Sequence, residues 1–435
     1  MSTHILILGA SLVVIASYFF NIFAEKTRIP SVLMLMLLGF CISLGFDVPE
    51  QNLRPALEVL GTIGVIMIVL EAALDLHVEK ETWPIVWRAL VLGIGLLLIT
   101  SFFIAGGLVY VLKISWYTGW LYGVPLAVMS SAIIIPSVQR LPEFSKEFLI
   151  YESAISDIFG IILFYALLAM EKSGGMTFGF LLGQSALFIL TLVIAFAVSY
   201  ALIFLFQKIQ GELKLFMVIA VLTGLYSTGK LIHLSSLLII LIFGLILNNI
   251  QLFFPGKWRN MIEEEKLEDE INDFKVITLE TAFVVRTFFF VVFGMSIELS
   301  GLFHWSVPIL SGIALVGIYL FRYIGLKSLL PKKVSPELFV APRGLITVLL
   351  FYAIPESLQA PEFNKGILLL TILASSLIMT FGLIREGHSA VDPSVATSPP
   401  DNMPESPIST SGTMKPALDT SVSTLETSPT SPEKD

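Results

Sequence analysis

Residues 147–170 read EFLIYESAISDIFGIILFYALLAM. The run is long enough to cross a bilayer, whose hydrocarbon core takes about 20 apolar residues of helix. Yet it encloses Glu152 and Asp157. A charge at the bilayer centre costs at least about 2.5–3.5 kcal/mol on insertion scales, so an acid kept there marks an ion path or a buried partner. Fold and function both turn on what faces these two carboxylates.

Working outward, 55% of the 435 residues are hydrophobic and only 14% are charged, where a soluble domain carries about a quarter charged. Apolar runs recur at about 4–23, 30–47, 55–76, 84–112, 118–138, 147–170, 178–206, 214–232, 234–253, 279–299, 303–328, 336–354 and 364–384. This pattern predicts an all-α polytopic membrane protein with about thirteen transmembrane helices. The first run has no basic stretch before it and no A-x-A site after it, so it reads as a retained span rather than a removed signal peptide. Residues 257–275, KWRNMIEEEKLEDEINDFK, break the pattern as a surface helix or loop. The chain divides into a membrane domain, 1–385, and a Ser/Thr/Pro-rich tail, 386–435, expected to be disordered and cytoplasmic. The net charge of −8 owes much to the acidic loop and the tail.

The composition also excludes classes. One cysteine, Cys41, rules out a disulfide framework, and the five histidines are scattered without metal-ligand spacing. There is no nucleophile–base set, so an enzyme is not expected, and no cofactor is implied. The expected partners are monovalent cations, protons and membrane lipid, not nucleic acid. Orientation follows from the tendency of cytoplasmic loops to collect Lys and Arg. With the N-terminus outside, the outer loops hold only Arg54, Lys113, Lys172, Lys230 and Lys365, while Arg286, Arg322 and Arg343 fall within spans. The other basic residues lie in inner loops and the tail. The chain is therefore expected to be multi-pass in the plasma (inner) membrane.

An internal repeat is visible. PSVLMLMLLGFCISLG in span 2 is similar to SSLLIILIFGLILNN in span 9, and IVLEAALDL in span 3 to VVFGMSIEL in span 10. Spans 5 and 12 both carry small, polar or proline residues in mid-run, MSSAIIIPS and APRGLIT. Spans 1–6 thus echo spans 8–13. The offset of seven spans is odd, so the copies face opposite ways across the membrane. Two inverted six-helix repeats with discontinuous crossing helices are a transporter signature, with the site at the midplane where the breaks meet.

Span 6 enters from the cytoplasmic side. Asp157 is then about 15 Å deep, near the midplane, and Glu152 about 7.5 Å deep. They lie about 140° apart around the helix and face different neighbours. Glu152 needs a cation at its own depth. Arg322, near the inner end of span 11, is the natural partner, and Arg343 in span 12 is a reserve and a candidate core charge. An ion pair of Glu152 and Arg322 would be neutral and would pin two helices together. Asp157 has no equally placed partner, and an unpaired buried carboxylate favours holding a proton or a cation. A hard ion such as Na⁺ or K⁺ takes oxygen ligands, which Asp157, Ser153, Ser130, Ser131 and the carbonyls of a broken span 5 would offer. One carboxylate holds one proton or one cation, which is the logic of an exchanger. The alternative for Asp157 is a protonated, hydrogen-bonded core residue, and for the serines a bond to the i−4 carbonyl. Glu71 and Asp75 in span 3 either line a cytoplasmic cation funnel or cap the helix end. Arg286, deep in span 10, is expected to snorkel to the inner face.

These stretches resemble the cation:proton antiporter superfamily, the sodium/proton exchangers and their relatives, over about residues 1–385. ESAISD (152–157) is similar to the family's Glu-Ser-x-x-Asn-Asp. RIPSVLMLMLLGF, FFFVVFGMSIEL, LFRYIGL and APRGLITVLL resemble other family stretches in matching order. The resemblance implies a homodimer in which core helices, about 84–170 and 303–384, move against scaffold helices, about 4–76 and 214–299. It makes Asp157 the ion- and proton-binding carboxylate, Ser153 a ligand, and Glu152 with Arg322 the buried pair. Two departures stand out. Ser156 replaces the family's Asn, and SSAIIIPS replaces its Thr-Asp-Pro, closer to the potassium-efflux branch. A single free aspartate resembles the electroneutral, one-for-one exchangers.

The expected function is secondary antiport of Na⁺, with K⁺ as the alternative, against H⁺ by an elevator-like movement. Two rivals are a channel-like K⁺ efflux path, whose flux would survive neutralisation of Asp157, and a non-transporting receptor or platform that works through the tail.

Overall fold

Helix α1 (Thr3–Thr27) and the pair α5 (Trp116–Ala127) and α6 (Ser131–Ser137) show how the same composition serves two environments. Only 6% of the apolar window in α1 is buried, against 89% of the window spanning α5 and α6. The first presents its side chains outward, as a lipid-facing helix does. The second is enclosed by protein, which is what an interrupted helix needs when its loose backbone groups have no water to bond.

The computed structural model describes residues 3–27, 29–45, 50–76, 82–172, 178–208, 214–231, 236–254, 264–296, 304–330 and 334–389. The tail from 390 onward, residues 257–263 of the acidic stretch and the Asp75 side chain lie outside the described residues. The remaining elements are α2 (Ser31–Gly45), α3 (Glu50–Asp75), α4 (Trp83–Leu112), α7 (Glu143–Lys172), α8 (Phe178–Lys208), α9 (Lys214–Leu231), α10 (Ser236–Asn248), α11 (Ile250–Phe253), α12 (Glu264–Met295), α13 (Ser306–Leu329), α14 (Leu345–Tyr352) and α15 (Gly366–Ser389). Among the described residues there is no strand. Among the described residues nine stretches are long and apolar enough to cross a membrane, and 31–45, 217–229 and 236–248 are shorter apolar helices. The twelfth predicted span, 336–354, is different in kind: turns at 335–339, irregular chain at 340–344, then the short α14.

The acidic stretch departs from a simple loop. From Glu264 onward it is continuous with span 10 as one 32-residue helix, α12. No Gly or Pro occurs between Glu264 and Val292, so nothing in the backbone stops the helix from running on out of the apolar segment.

The packing pairs follow the repeat. Helix α2 packs on α12, and its counterpart α10 packs on α3, the counterpart of α12; α3 packs on α12 and α4 on α13. Gly39 and Gly244 occupy equivalent places in the two copies. A Cβ at Gly39 would lie 2.0 Å from the Val291 carbonyl oxygen of α12, and one at Gly244 would lie 2.6 Å from Ala73 Cβ of α3. Gly39 thus lets α2 approach the backbone of α12, and Gly244 lets α10 close onto the Ala73 side chain of α3. Asn248 and Asn249, at the end of α10, both donate to the Leu76 carbonyl, at 3.0 and 2.7 Å, and close the end of α3. One set of helices (α4, α5, α7, α13, α15) is packed mainly within itself, and another (α2, α3, α10, α12) likewise. Helix α3 is where they meet, touching α6, α7 and α14.

Candidate functional site

The interruptions of spans 5 and 12 meet. Helix α5 ends at Ala127, after Pro125, and α6 begins at Ser131. Between them the Ser130 N–H donates to the Pro342 carbonyl of the other extended stretch at 3.0 Å. Gly344 permits the crossing: a Cβ there would lie 2.7 Å from Ser130 Oγ and 2.8 Å from Ile133 Cδ1. Helix α7 presses on the same place through Gly160, where a Cβ would come within 2.3 Å of Val128 Cγ2.

Loose backbone groups at such a crossing must be satisfied by protein. Ser156 of α7 does part of this, since its hydroxyl oxygen accepts the Met129 N–H at 3.0 Å. Arg343 does more. Its Nε donates to the Leu126 carbonyl at the end of α5 at 2.9 Å, its Nη1 to the Ala341 carbonyl at 2.9 Å, and its own N–H to Ser375 Oγ at 3.0 Å. A cation at the carbonyl end of α5 also meets the negative end of that helix's dipole. Arg343 therefore fastens the two interruptions together and is not bonded to Glu152.

Asp157 reaches this crossing from the middle of α7 and is only 3% exposed. Its Oδ2 accepts the Ser131 N–H at 3.2 Å and also the Ser131 hydroxyl. Its Oδ1 is buried and has no hydrogen-bond partner among the described residues, and neither has the Ser130 hydroxyl. Ser131 thus meets Asp157, and Ser130 holds the backbone of the crossing beside it. Ser153 is not brought to Asp157: its hydroxyl donates to the Ile150 carbonyl of its own helix at 3.0 Å. The bond to the preceding turn, available to any helical serine, takes its only proton.

Glu152 is 1% exposed and Arg322 2%. Arg322 Nη1 and Nη2 donate to the two Glu152 oxygens at 2.6 and 2.9 Å, a bidentate pair. Arg322 Nε donates to the Glu337 carbonyl at 2.8 Å, and Nη1 lies 3.4 Å from Met129 Sδ. Glu337 escaped the sequence reading. It is 4% exposed, and its Oε1 accepts the Ser145 hydroxyl at 2.5 Å. It stands at the start of the span read over 336–354, next to the basic PKKV stretch, and no motif there marks it. Glu71, read as lining a cation funnel or capping a helix end, faces a cation of the protein. It is 5% exposed, and Arg286 Nη2 lies 3.7 Å from its Oε1. Arg286 does not snorkel outward, because its Nη1 donates to the Ala132 carbonyl of α6 at 3.1 Å.

Interrupted helices crossing in a protein-lined interior, with a lone acid aimed at the crossing, define the class as a polytopic membrane transporter. The chain belongs to the sodium/hydrogen exchanger family: the family model described as "Sodium/hydrogen exchanger, transmembrane" matches residues 10–385. Among solved structures it is similar to the sodium proton antiporter MjNhaP1 from Methanocaldococcus jannaschii at pH 8, with TM-score 0.65 and 21% identity over 90% of this chain and 98% of that one. An electron-microscopy structure of the same antiporter matches with TM-score 0.60 and 19% identity over 93% and 100% of the two chains. At this identity the likeness shows the fold. No curated protein matches the sequence.

Proposed function

We propose that this chain exchanges Na⁺ for H⁺ across the membrane, with Asp157 as the group that carries either. The observation behind this reading is Asp157 Oδ1, buried at the crossing without a hydrogen-bond partner among the described residues. Ser131 holds the other carboxylate oxygen from two donors and so fixes where Oδ1 points. A proton closes that oxygen to a cation, and a cation with oxygen ligands excludes the proton. Loading one cargo therefore expels the other. Ser130 Oγ and nearby carbonyls are the candidate further ligands of Na⁺.

Alternating access follows from the two helix sets. The set holding Asp157 (α4–α7 and α13–α15) moves against the set built on α2, α3, α10 and α12. In both directions Asp157 travels with one bound positive charge, a proton or Na⁺. Glu152 and Arg322 travel as a neutral pair, and Arg343 travels unchanged. The two half-cycles thus carry the same net charge, and one-for-one exchange is electroneutral. The distribution of Lys and Arg supports an N-terminus outside and a cytoplasmic tail, and the family resemblance supports a homodimer in the plasma membrane.

The test is exchange in proteoliposomes read with a pH-sensitive dye, comparing Na⁺, K⁺ and Li⁺ for the wild type and Asp157→Asn. Wild type is expected to move protons against Na⁺, and Asp157→Asn to fall to the level of empty liposomes. Exchange that persists in Asp157→Asn would refute the assignment.

A further inference from the structure

The bond between Arg286 and Ala132 crosses from one helix set to the other, and the exchange cycle above does not use it. Arg286 belongs to α12, and its side chain is 14% exposed. Ala132 is the second residue of α6, directly after Ser131, which holds Asp157. The Ala132 carbonyl is available for a reason written in the sequence. In a continuous helix it would accept the N–H of residue 136, but residue 136 is proline, which has none. A buried carbonyl without its helical donor needs another, and the Arg286 guanidinium supplies it at 3.1 Å. Glu71 of α3 lies 3.7 Å from the other end of the same guanidinium, so the cation is compensated within its own helix set.

We propose that Arg286, braced by Glu71, is a latch: it grips the carbonyl that Pro136 leaves free on α6 and so sets how readily the Asp157-bearing helices leave the position seen here. The latch rests on the alternating-access reading. When α6 moves, the Ala132 carbonyl loses its donor while Arg286 stays behind with Glu71. Arg286 touches neither Asp157 nor its serine donors, so it is a positioning residue, acting on the cargo site only through α6.

The experiment uses the full chain and two readouts: Na⁺-driven proton exchange in proteoliposomes, and hydrogen–deuterium exchange of the peptide 128–135 in the same preparation. Arg286→Met is expected to raise deuterium uptake in 128–135 about tenfold in rate, the scale of one lost hydrogen bond to a charged donor. Uptake in 306–329 stays unchanged. Turnover rises several-fold while the KM for Na⁺ stays within about twofold. Arg286→Lys, which keeps a donor and the charge, stays near wild type. Pro136→Ala gives Ala132 an internal N–H and so removes its need for Arg286: turnover is expected to rise as in Arg286→Met without the rise in uptake of 128–135, and the double variant turns over no faster than either alone, because both act on one bond. Unchanged uptake in 128–135 of Arg286→Met, a fall in turnover, or effects on turnover that simply add in the double variant would each overturn the latch. If Arg286→Met alone does not fold, the double variant set against Pro136→Ala carries the test, since Arg286 should then be dispensable. A wild type without Na⁺-driven proton movement would sink the proposed function, while the peptide uptake still reports on the latch by itself.

Discussion

Replacing Arg322 by methionine should cost more than any other single change at the buried pair. Methionine keeps the length of the side chain and removes every donor. Four contacts vanish: 2.6 and 2.9 Å to Glu152, 2.8 Å to the Glu337 carbonyl, and 3.4 Å to Met129 Sδ. Glu152, 1% exposed, is left as a carboxylate without its cation. Breaking a buried pair from one side costs about 3–5 kcal/mol. A bound on that figure comes from neutralising the acid instead: holding an ordinary glutamic acid protonated at pH 7 takes about 3.7 kcal/mol. The two figures agree, and the unpaired Glu337 carbonyl adds about 1–3 kcal/mol. The total of about 4–8 kcal/mol is a large share of the 5–15 kcal/mol that holds a typical protein folded. Arg322→Met should therefore yield little monodisperse protein on size exclusion and a much lower unfolding temperature in detergent. Adding Glu152→Leu should recover most of the loss, because an apolar pair of similar volume can replace a buried ion pair at little cost. A well-folded Arg322→Met whose only change is its KM for Na⁺ would refute the reasoning, and so would a double variant no better than the single.

Ser131→Ala removes one of two donors to Asp157 Oδ2; the KM for Na⁺ should rise about tenfold while the fold survives, as dye-based exchange and thermal unfolding together will show. Ser156→Ala strands the buried Met129 N–H and should cost about 1–3 kcal/mol of stability, whereas Ser156→Asn keeps an acceptor and should unfold near the wild-type temperature. Arg343→Lys keeps the charge but cannot span both the Leu126 and Ala341 carbonyls as the planar guanidinium does, so exchange activity should fall more than tenfold. Gly39→Leu drives a side chain into the Val291 backbone and should prevent purification of folded protein, while Gly9→Leu, with nothing within 4 Å of its Cβ position, should express like the wild type.

Much of the fold is legible because lipid imposes one rule on every span: enough apolar residues, and backbone groups bonded within the segment. That rule marks the runs, and the stretches that defy it, MSSAIIIPS and APRGLIT, mark the crossing. Depth along the helix is also readable, which is how Glu152 and Arg322 come to be considered together, and the structure joins them at 2.6 Å. Legibility stops where the backbone leaves the helix. Ser156 shares a face with Glu152 by helical spacing, yet its partner is an N–H that exists as a free donor only because 128–130 is unwound. Ser153 shares a face with Asp157 by the same spacing, yet it bonds back to Ile150. Arg286 looks like a lone cation with an outward route until Pro136, four residues after Ala132, is seen to free a carbonyl. Periodicity places side chains on faces, but it does not say which backbone groups an interruption releases.

The three arginines within the spans are each engaged elsewhere, so that Asp157 has no direct ion pair among the described residues. Arg322 is consumed by a carboxylate, Glu152, in a bidentate bond. Arg343 is spent on carbonyls at the ends of the interruptions. Arg286 is shared between the Ala132 carbonyl and Glu71. A direct ion pair would be fatal to exchange by Asp157, because a cation fixed beside a carboxylate competes with both cargoes throughout the cycle. Serine donors do not have this defect. Ser131 orients one oxygen without neutralising the charge, and the other has no hydrogen-bond partner among the described residues, as the proposed exchange requires. The argument implies that charge placed near the acid matters more than polarity. Ser130→Lys, which sets an ammonium beside the crossing, should abolish exchange of Na⁺ for H⁺ even if the protein folds, whereas Ser130→Thr should keep it. A folded Ser130→Lys that still exchanges at the wild-type rate in proteoliposomes would refute the argument that the proposed carrier role of Asp157 depends on its having no direct ion pair.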